Sequence, residues 1–152
     1  MIKLTRKLLY ALEAVVDIAY NTTADPAQAR EITKRQGIPQ RYLEQVMQKL
    51  VRAGILKGVR GPRGGYRLAR ERRRITVGEI VRVVYSTERT TRDLVTMEAG
   101  SDLAEKVIRP FWRDIRETFY GELDKITIED LCRRAHAKGV EGRTAERVQF
   151  DI

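Results

Sequence analysis

The chain has 152 residues, and its 30 lysines and arginines against 21 aspartates and glutamates give a formal net charge of +9. A positive field of this size favours nucleic acid or an anionic membrane as partner, but no apolar run approaches the ~18 residues that a membrane span needs. The single cysteine, Cys132, excludes an internal disulfide and fits a reducing cytoplasm. Charge alone also fits a basic protein that is simply soluble.

Three helices are predicted in the first third of the chain. The first is capped by Thr5, ends at the turn formers of residues 21–26, and has an apolar stripe of Leu8, Leu12, Val15, Val16 and Ala19. The second runs from about Ala27 to Gln36 and ends at Gly37, a residue type that commonly terminates helices. The third begins near Pro39, which a first helical turn tolerates, and continues to residue 52.

The third predicted helix has one face that is rich in hydrogen-bond donors. At 100° per residue the apolar side carries Leu43, Val46, Met47 and Leu50, and the opposite side carries Arg41, Gln45, Gln48 and Arg52. All four residues of the opposite side can donate to phosphates or base edges, and none is acidic. Taken alone, this pattern also fits the solvated face of an amphipathic helix.

A basic hairpin is predicted after the third helix. Residues 52–74 contain nine lysines and arginines and one acid, Glu71. Residues 55–56 and 66–68 are predicted strands, and the glycines and Pro62 between them favour a turn. A tip that carries Arg60 and Arg63 suits contact with a polyanion. Helix, short helix, glycine turn, amphipathic helix and basic hairpin, in this order, describe a winged helix-turn-helix.

A long helix is predicted from about Asp102 to Ile126. Its apolar stripe, with Trp112 as a further anchor, consists of Ile108, Phe111, Ile115, Phe119, Leu123 and Ile126. Spacings of three and four favour pairing with a second copy in a homodimer, and packing against the chain's own DNA-binding domain is the alternative. Pro110 should kink this helix or mark its first turn.

Cys132 lies on a predicted short helix over residues 128–134. Arg133 and Arg134 can lower the pKa of the thiol and make it a redox sensor, whereas a small buried apolar residue is the favoured alternative. His136, the single histidine, cannot close a metal site with one cysteine. No nucleophile–base pair is evident, so we predict neither an enzyme nor a metal site.

These residues resemble the Rrf family of bacterial regulators, of the IscR, NsrR, RirA and CymR type. The matching pieces span about residues 2–130 and are Leu4-Thr5, Tyr10-Ala11, Gln36-Gly37-Ile38, Tyr42-Leu43-Glu44-Gln45, Val59-Arg60-Gly61-Pro62, Gly64-Gly65-Tyr66, Thr76-Val77-Gly78-Glu79-Ile80 and Trp112-Arg113-Asp114. The resemblance implies a homodimeric DNA-binding repressor or activator that responds to iron–sulfur status, nitric oxide, iron or cysteine supply.

The resemblance also implies roles for individual residues. The family's recognition helix contacts the major groove at positions that are here Gln40, Arg41, Tyr42, Glu44 and Gln45, and its wing arginine, here Arg60, enters the minor groove. The carboxylate of Glu44 can accept from cytosine N4, or it can pair with Gln48 or Arg41 instead. To this set the residue pattern itself adds Gln48, Arg52 and Arg63.

The sequence departs from the resemblance at the cysteines. Members that hold an iron–sulfur cluster carry three cysteines between the fourth helix and the long helix, with a further ligand just beyond. Residues 86–108 of this chain contain neither cysteine nor histidine, and Lys106 and Arg109 stand at the last cysteine position and the extra-ligand position. Iron–sulfur sites are built mainly from thiolates. The sequence therefore predicts no cluster and favours the clusterless, CymR-like branch, or a chain without sensing.

Together these observations predict a mainly α fold with a small β-hairpin wing. We predict a winged helix-turn-helix domain over residues 1–85, a loop over 86–101, a dimerisation helix and short helix over 102–138, and a tail over 139–152. The predicted function is a cytoplasmic, nucleoid-associated bacterial regulator, a repressor, bound to double-stranded DNA at a palindromic operator. The alternatives are a non-specific RNA-binding or nucleoid protein, and a regulator that senses through Cys132 or a metabolic-enzyme partner.

Overall fold

A computed structural model describes residues 4–21, 23–86 and 100–142. In chain order it contains α1 (Arg6–Tyr20), α2 (Ala29–Gln36), α3 (Gln40–Arg52), β1 (Leu56–Val59), β2 (Gly65–Leu68), α4 (Val77–Ser86), α5 (Arg109–Asp124) and α6 (Ile128–Ala137). A 3-10 turn at Arg72–Arg74 precedes α4, and a π-helical segment at Ala104–Ile108 precedes α5. The fold class is the predicted one, mainly helical with a two-stranded antiparallel hairpin.

The first helix, α1, lies at the centre of the core. Thr5 caps it as predicted, because its hydroxyl accepts from the backbone N–H of Leu8 at 3.2 Å. Helices α2, α3, α4 and α6 all contact α1, so its buried face is wider than the predicted stripe. The buried residues are Leu8, Ala11, Ala14, Val15, Asp17, Ile18 and Ala19, whereas Leu12 and Val16 are only partly buried.

The second helix starts two residues later than predicted, at Ala29. Ala27 instead pairs with Tyr66 of β2 as an isolated antiparallel bridge, with N–H to O=C distances of 3.0 and 2.8 Å. This bridge holds the hairpin against the segment between α1 and α2. Gly37 ends α2 with φ at 65°, as its predicted role requires.

The wing, residues 56–68, is a hairpin in which Leu56 faces Leu68 and Val59 faces Gly65. Its turn closes through a 2.8 Å hydrogen bond from the N–H of Gly64 to the carbonyl of Gly61, whose φ is 115°. A Cβ at Gly65 would overlap the backbone of Ala27. Position 65 therefore requires a glycine, because the wing passes close to the backbone of Ala27 there.

The end of α5 is fastened to the start of α4. Arg82 donates to both carboxylate oxygens of Asp124, at 2.5 and 2.8 Å, and these hydrogen bonds lower the pKa of the Asp124 carboxyl. Close by, the N–H of Val77 donates to the carbonyl of Ile126 at 2.8 Å, and the N–H of Ile128 donates to that of Ile75 at 2.9 Å. These contacts hold the end of α5 and the start of α6 against α4 and the residues just before it.

The predicted long helix is divided rather than uniform. The backbone is helical from residue 102, as predicted, but a π-helical segment occupies residues 104–108 before α5 continues from Arg109. Pro110 lies in the first turn of α5, one of the two positions predicted for it, directly after the π-helical segment.

The start of the tail folds back on α1. Gly139 ends α6 with φ at 75°, the Tyr20 hydroxyl donates to the Val140 carbonyl at 2.6 Å, and Gly142 is buried against the Tyr20 ring. The remaining tail residues, 143–152, and most of the predicted loop over 86–101 lie outside the described residues.

Candidate nucleic-acid interface

The predicted DNA-facing side of α3 is exposed. Leu43, Val46, Met47 and Leu50 are buried in the core, which turns the opposite side of the helix to solvent. All seven candidates on this helix are exposed: Gln40, Arg41, Tyr42, Glu44, Gln45, Gln48 and Arg52.

Most donors on this exposed side are unpaired. The side chain of Gln40 donates to the carboxylate of Glu44 at 3.2 Å, so Glu44 pairs with Gln40 and not with Gln48 or Arg41. Within the described residues, the side chains of Arg41, Gln45, Gln48 and Arg52 form no hydrogen bond and no ion pair. The helix therefore presents a row of free donors beside one oriented carboxylate.

One flank of α3 meets α1 and α4 in a shallow cleft. The half-exposed Tyr42 ring lies 6.1 Å from the ring of Tyr10, between centroids. Two lysines that sequence reasoning missed, Lys7 of α1 and Lys49 of α3, share this cleft with Gln45. Lys49 lies on the flank between the two sides of α3, so a division of the helix into two sides leaves it out, and Lys7 lies 42 positions away in the sequence.

The basic run divides into two groups with different surroundings. Arg60 and Arg63 are exposed in the turn of the wing, and neither pairs with any other described residue. The arginines that follow are engaged within the fold: Arg67 with the carbonyls of Thr23 and Ala24, Arg70 with Glu79, Arg72 with Glu129, and Arg73 with Glu71. These four arginines lie outside the predicted DNA-binding set, in which the turn of the wing is represented by Arg60 and Arg63.

A buried acid ties α1 to the end of α2. Asp17 has a side chain with 0 % exposure, and its carboxylate accepts from Arg35 at 2.7 and 2.9 Å and from Gln36 at 2.7 Å. Gln36 directly precedes Gly37 and the turn into α3. The contact therefore fixes the position of the turn that leads into α3.

The apolar stripe of the predicted dimerisation helix splits between two environments. Five of its members are 45–56 % exposed: Ile108, Phe111, Trp112, Ile115 and Phe119. Leu123 and Ile126 pack instead against the chain's own core. Leu123 is thus already partly covered within the single chain, and its role in dimerisation stays a prediction.

Cys132 is a buried core residue, with 3 % exposure. Burial raises the pKa of its thiol, and the nearby Arg72 only partly opposes that shift. The favoured prediction of a small buried residue is confirmed, and the alternative in which Arg133 and Arg134 lower the pKa of the thiol is wrong, since Arg133 is exposed beside Glu129. His136 is exposed, and the described part of the chain contains no cluster of three or more histidine, cysteine or acidic side chains that suits a metal ion.

Among the described residues, no helix is long and apolar enough to cross a membrane. A three-helix core, an exposed donor-rich third helix and a basic hairpin define a winged helix-turn-helix DNA-binding regulator. The candidate interface consists of the exposed side of α3 and the turn of the wing.

Comparison with known proteins gives the family. The family described as "Rrf2: Iron-dependent Transcriptional regulator" matches residues 4–134. The HTH-type transcriptional regulator IscR of Escherichia coli O1:K1 is 35% identical over 142 residues, which cover 93% of this chain and 86% of that protein. The chain belongs to the Rrf2 family of DNA-binding transcriptional regulators, and it is not an enzyme.

Solved structures of relatives show the same fold. The T. potens IscR superposes with a TM-score of 0.69 at 32% identity, covering 95% of this chain and 96% of that one. CymR (YrzC), the global cysteine regulator of B. subtilis, superposes with a TM-score of 0.69 at 29% identity, covering 88% of this chain and 98% of that one.

Proposed function

We propose that the chain is a homodimeric repressor that binds a palindromic operator without an iron–sulfur cluster. In this proposal α3 of each copy enters the major groove and the wing enters the adjacent minor groove. The observation that carries the proposal is the row of unpaired donors along the exposed side of α3.

The side chains on α3 suit base recognition. An arginine such as Arg41 can contact guanine through two hydrogen bonds, glutamines such as Gln45 and Gln48 can do the same with adenine, and the carboxylate of Glu44 can accept from cytosine N4. The 3.2 Å hydrogen bond from Gln40 orients that carboxylate before DNA arrives. Each good contact of this kind discriminates against a wrong base by roughly 1–3 kcal/mol.

The wing suits the minor groove. Arg60 adjoins Gly61, whose positive φ allows the sharp turn. Its guanidinium has no partner among the described residues, so binding to DNA requires no internal ion pair to break. Narrow minor grooves have an enhanced negative potential that attracts arginine.

Arg60→Ala is expected to weaken operator binding by roughly 1–3 kcal/mol, which is about a fivefold to 150-fold rise in Kd. Gel-shift titration at one fixed salt concentration measures this. Arg73→Ala is the matched control, since it removes the same charge from an arginine that is paired with Glu71. Equal Kd values for the two variants would contradict the role of the wing.

The exposed apolar face of α5 supports the homodimer. Soluble monomers rarely leave a contiguous patch of large apolar side chains in water, and here five such residues lie along one side of one helix. A second copy of the same face is self-complementary across a twofold axis. The same axis would place two α3 helices on two symmetric half-sites.

The donor chemistry does not fit the family's cluster. No thiolate or imidazole exists between residues 86 and 108, and Lys106, at the last cysteine position of the resemblance, is an exposed ammonium paired with Asp102 at 3.0 Å. The single thiol, Cys132, is buried in the core. Sensing through Cys132 or a metabolic-enzyme partner stays a prediction.

Protein purified without air from iron-replete cells is therefore expected to be colourless, without stoichiometric iron or sulfide. Iron and sulfide analysis with a visible spectrum measures this. Cys132→Ser should leave operator affinity unchanged under reducing conditions. Visible iron–sulfur absorption that vanishes in Cys132→Ser would contradict the clusterless proposal.

A further inference from the structure

The cleft on the flank of α3 brings two lysines together from distant parts of the chain. Lys7 comes from α1 and Lys49 from α3, and Val83 and Val84 of α4 form the apolar floor. Within the described residues neither lysine pairs with a carboxylate. No acidic side chain lines the cleft, and Glu44, an acid of α3, is bonded to Gln40.

The size of the cleft excludes a small-molecule effector. Its free volume is about 10 Å³, roughly enough for one water molecule. Two lysines on one cleft without a lining carboxylate give this surface a positive potential that attracts anions. The surface therefore suits a ligand that stays outside the cleft and presents negative charge to it.

The position of the cleft relative to α3 identifies that ligand. At 100° per residue Lys49 lies about 80° around the helix from Arg41, and Gln45 lies between them. A helix with its side chains is about 10–12 Å across, and the major groove is about 12 Å wide. When the side of α3 that carries Arg41 faces the bases, the flank that carries Lys49 faces the phosphates at the edge of the groove.

We propose that Lys7 and Lys49 form a phosphate-binding pair that holds one DNA strand beside α3, an inference that rests on the proposed DNA-binding role of that helix. A lysine ammonium is a compact point charge and binds phosphate without reading sequence. The two lysines fix the depth and register of α3 in the groove, and the residues on the exposed side of α3 contact the bases.

The test is the double variant Lys7→Gln/Lys49→Gln, studied by fluorescence anisotropy on an operator duplex and on a scrambled duplex over a range of salt concentrations. The slope of log K against log salt is negative, and each lost phosphate contact lowers its magnitude by about 0.9. We expect a fall of about 1.8 for the double variant and about 0.9 for each single variant, with equal losses of affinity on both duplexes. Lys7→Arg/Lys49→Arg should keep the slope of the unmodified protein.

The control is Lys125→Gln/Lys138→Gln, which removes the same two charges near α6. Lys125 pairs with Glu122, and Lys138 is exposed at the end of α6. If the slope of the Lys7/Lys49 variant equals that of this control while the unmodified protein binds its operator, the phosphate-binding pair is wrong and the DNA-binding proposal stands. If the unmodified protein binds neither duplex, the DNA-binding proposal fails and the pair fails with it.

A second comparison separates phosphate contact from base reading. Arg41→Ala should reduce the preference for the operator over the scrambled duplex, whereas Lys7→Gln/Lys49→Gln should leave that preference unchanged. A loss confined to the operator duplex in the lysine variant would overturn the assignment to phosphate. Thermal unfolding of each variant confirms that the fold is intact before affinities are compared.

Discussion

Asp17→Ala is expected to lower the free energy of unfolding by about 1.5–3 kcal/mol, because it removes a fully buried carboxylate that accepts hydrogen bonds from the partly buried Arg35 and from Gln36. The carboxylate of Asp17 has no solvent exposure and accepts three hydrogen bonds from Arg35 and Gln36. Without it, the Arg35 guanidinium loses its carboxylate partner and the amide of Gln36 loses its acceptor. The end of α2 then loses these polar contacts with α1.

Urea unfolding monitored by circular dichroism measures this loss. Asp102→Ala is the matched control, since Asp102 also pairs with a basic residue, Lys106, but its side chain is 85% exposed. An exposed pair of this spacing contributes only about 0.3–0.5 kcal/mol. Equal losses in the two variants would show that burial adds nothing to the Asp17 contact.

Ile115→Glu is expected to dissociate the proposed homodimer. A carboxylate without a partner in an apolar interface costs several kcal/mol, and about 4 kcal/mol corresponds to a thousandfold rise in the dissociation constant. Ile115 is about half exposed in the single chain, so the substitution should leave the fold of each copy intact.

Light scattering at micromolar protein concentration reports the mass of each variant. Arg113→Glu is the control, because it places a carboxylate on the same helix but well away from the apolar face. A dimer mass for Ile115→Glu would contradict the assignment of this face to self-association. Operator binding should weaken together with the loss of the dimer, since one copy then meets only one half-site.

The sequence predicts correctly those features of the fold that depend on residues close together in the chain. The Thr5 cap, the Gly37 helix end and the two sides of α3 are all as expected, because each depends on neighbours in the sequence. The start of α2 is wrong by two residues for the opposite reason. Ala27 is withdrawn from the helix by Tyr66, a partner 39 positions away.

The candidate site is predictable only where exposure follows from periodicity. Asp17 lies on the buried side of α1, where helical periodicity leads one to expect only apolar residues. Its partner, Arg35, lies 18 positions further along the chain, so the sequence does not indicate the pair. Arg72 looks like part of one basic run, and only the fold brings Glu129 to it from 57 positions away. Leu123 fits the stripe of α5 by spacing, and only the packing of α4 decides that it faces inward.

The contacts between α5 and α4 fix the separation of the two α3 helices in the proposed dimer. Arg82 and Asp124, together with the backbone hydrogen bond from Val77 to Ile126, hold the end of α5 against α4. In the proposed dimer the angle at which two α5 helices cross therefore sets the distance between the two α3 helices. The major groove of B-DNA returns to the same face about every 34–36 Å, and one added base pair turns the second half-site by roughly a tenth of a turn. The length of the spacer between half-sites thereby becomes a criterion of recognition in its own right.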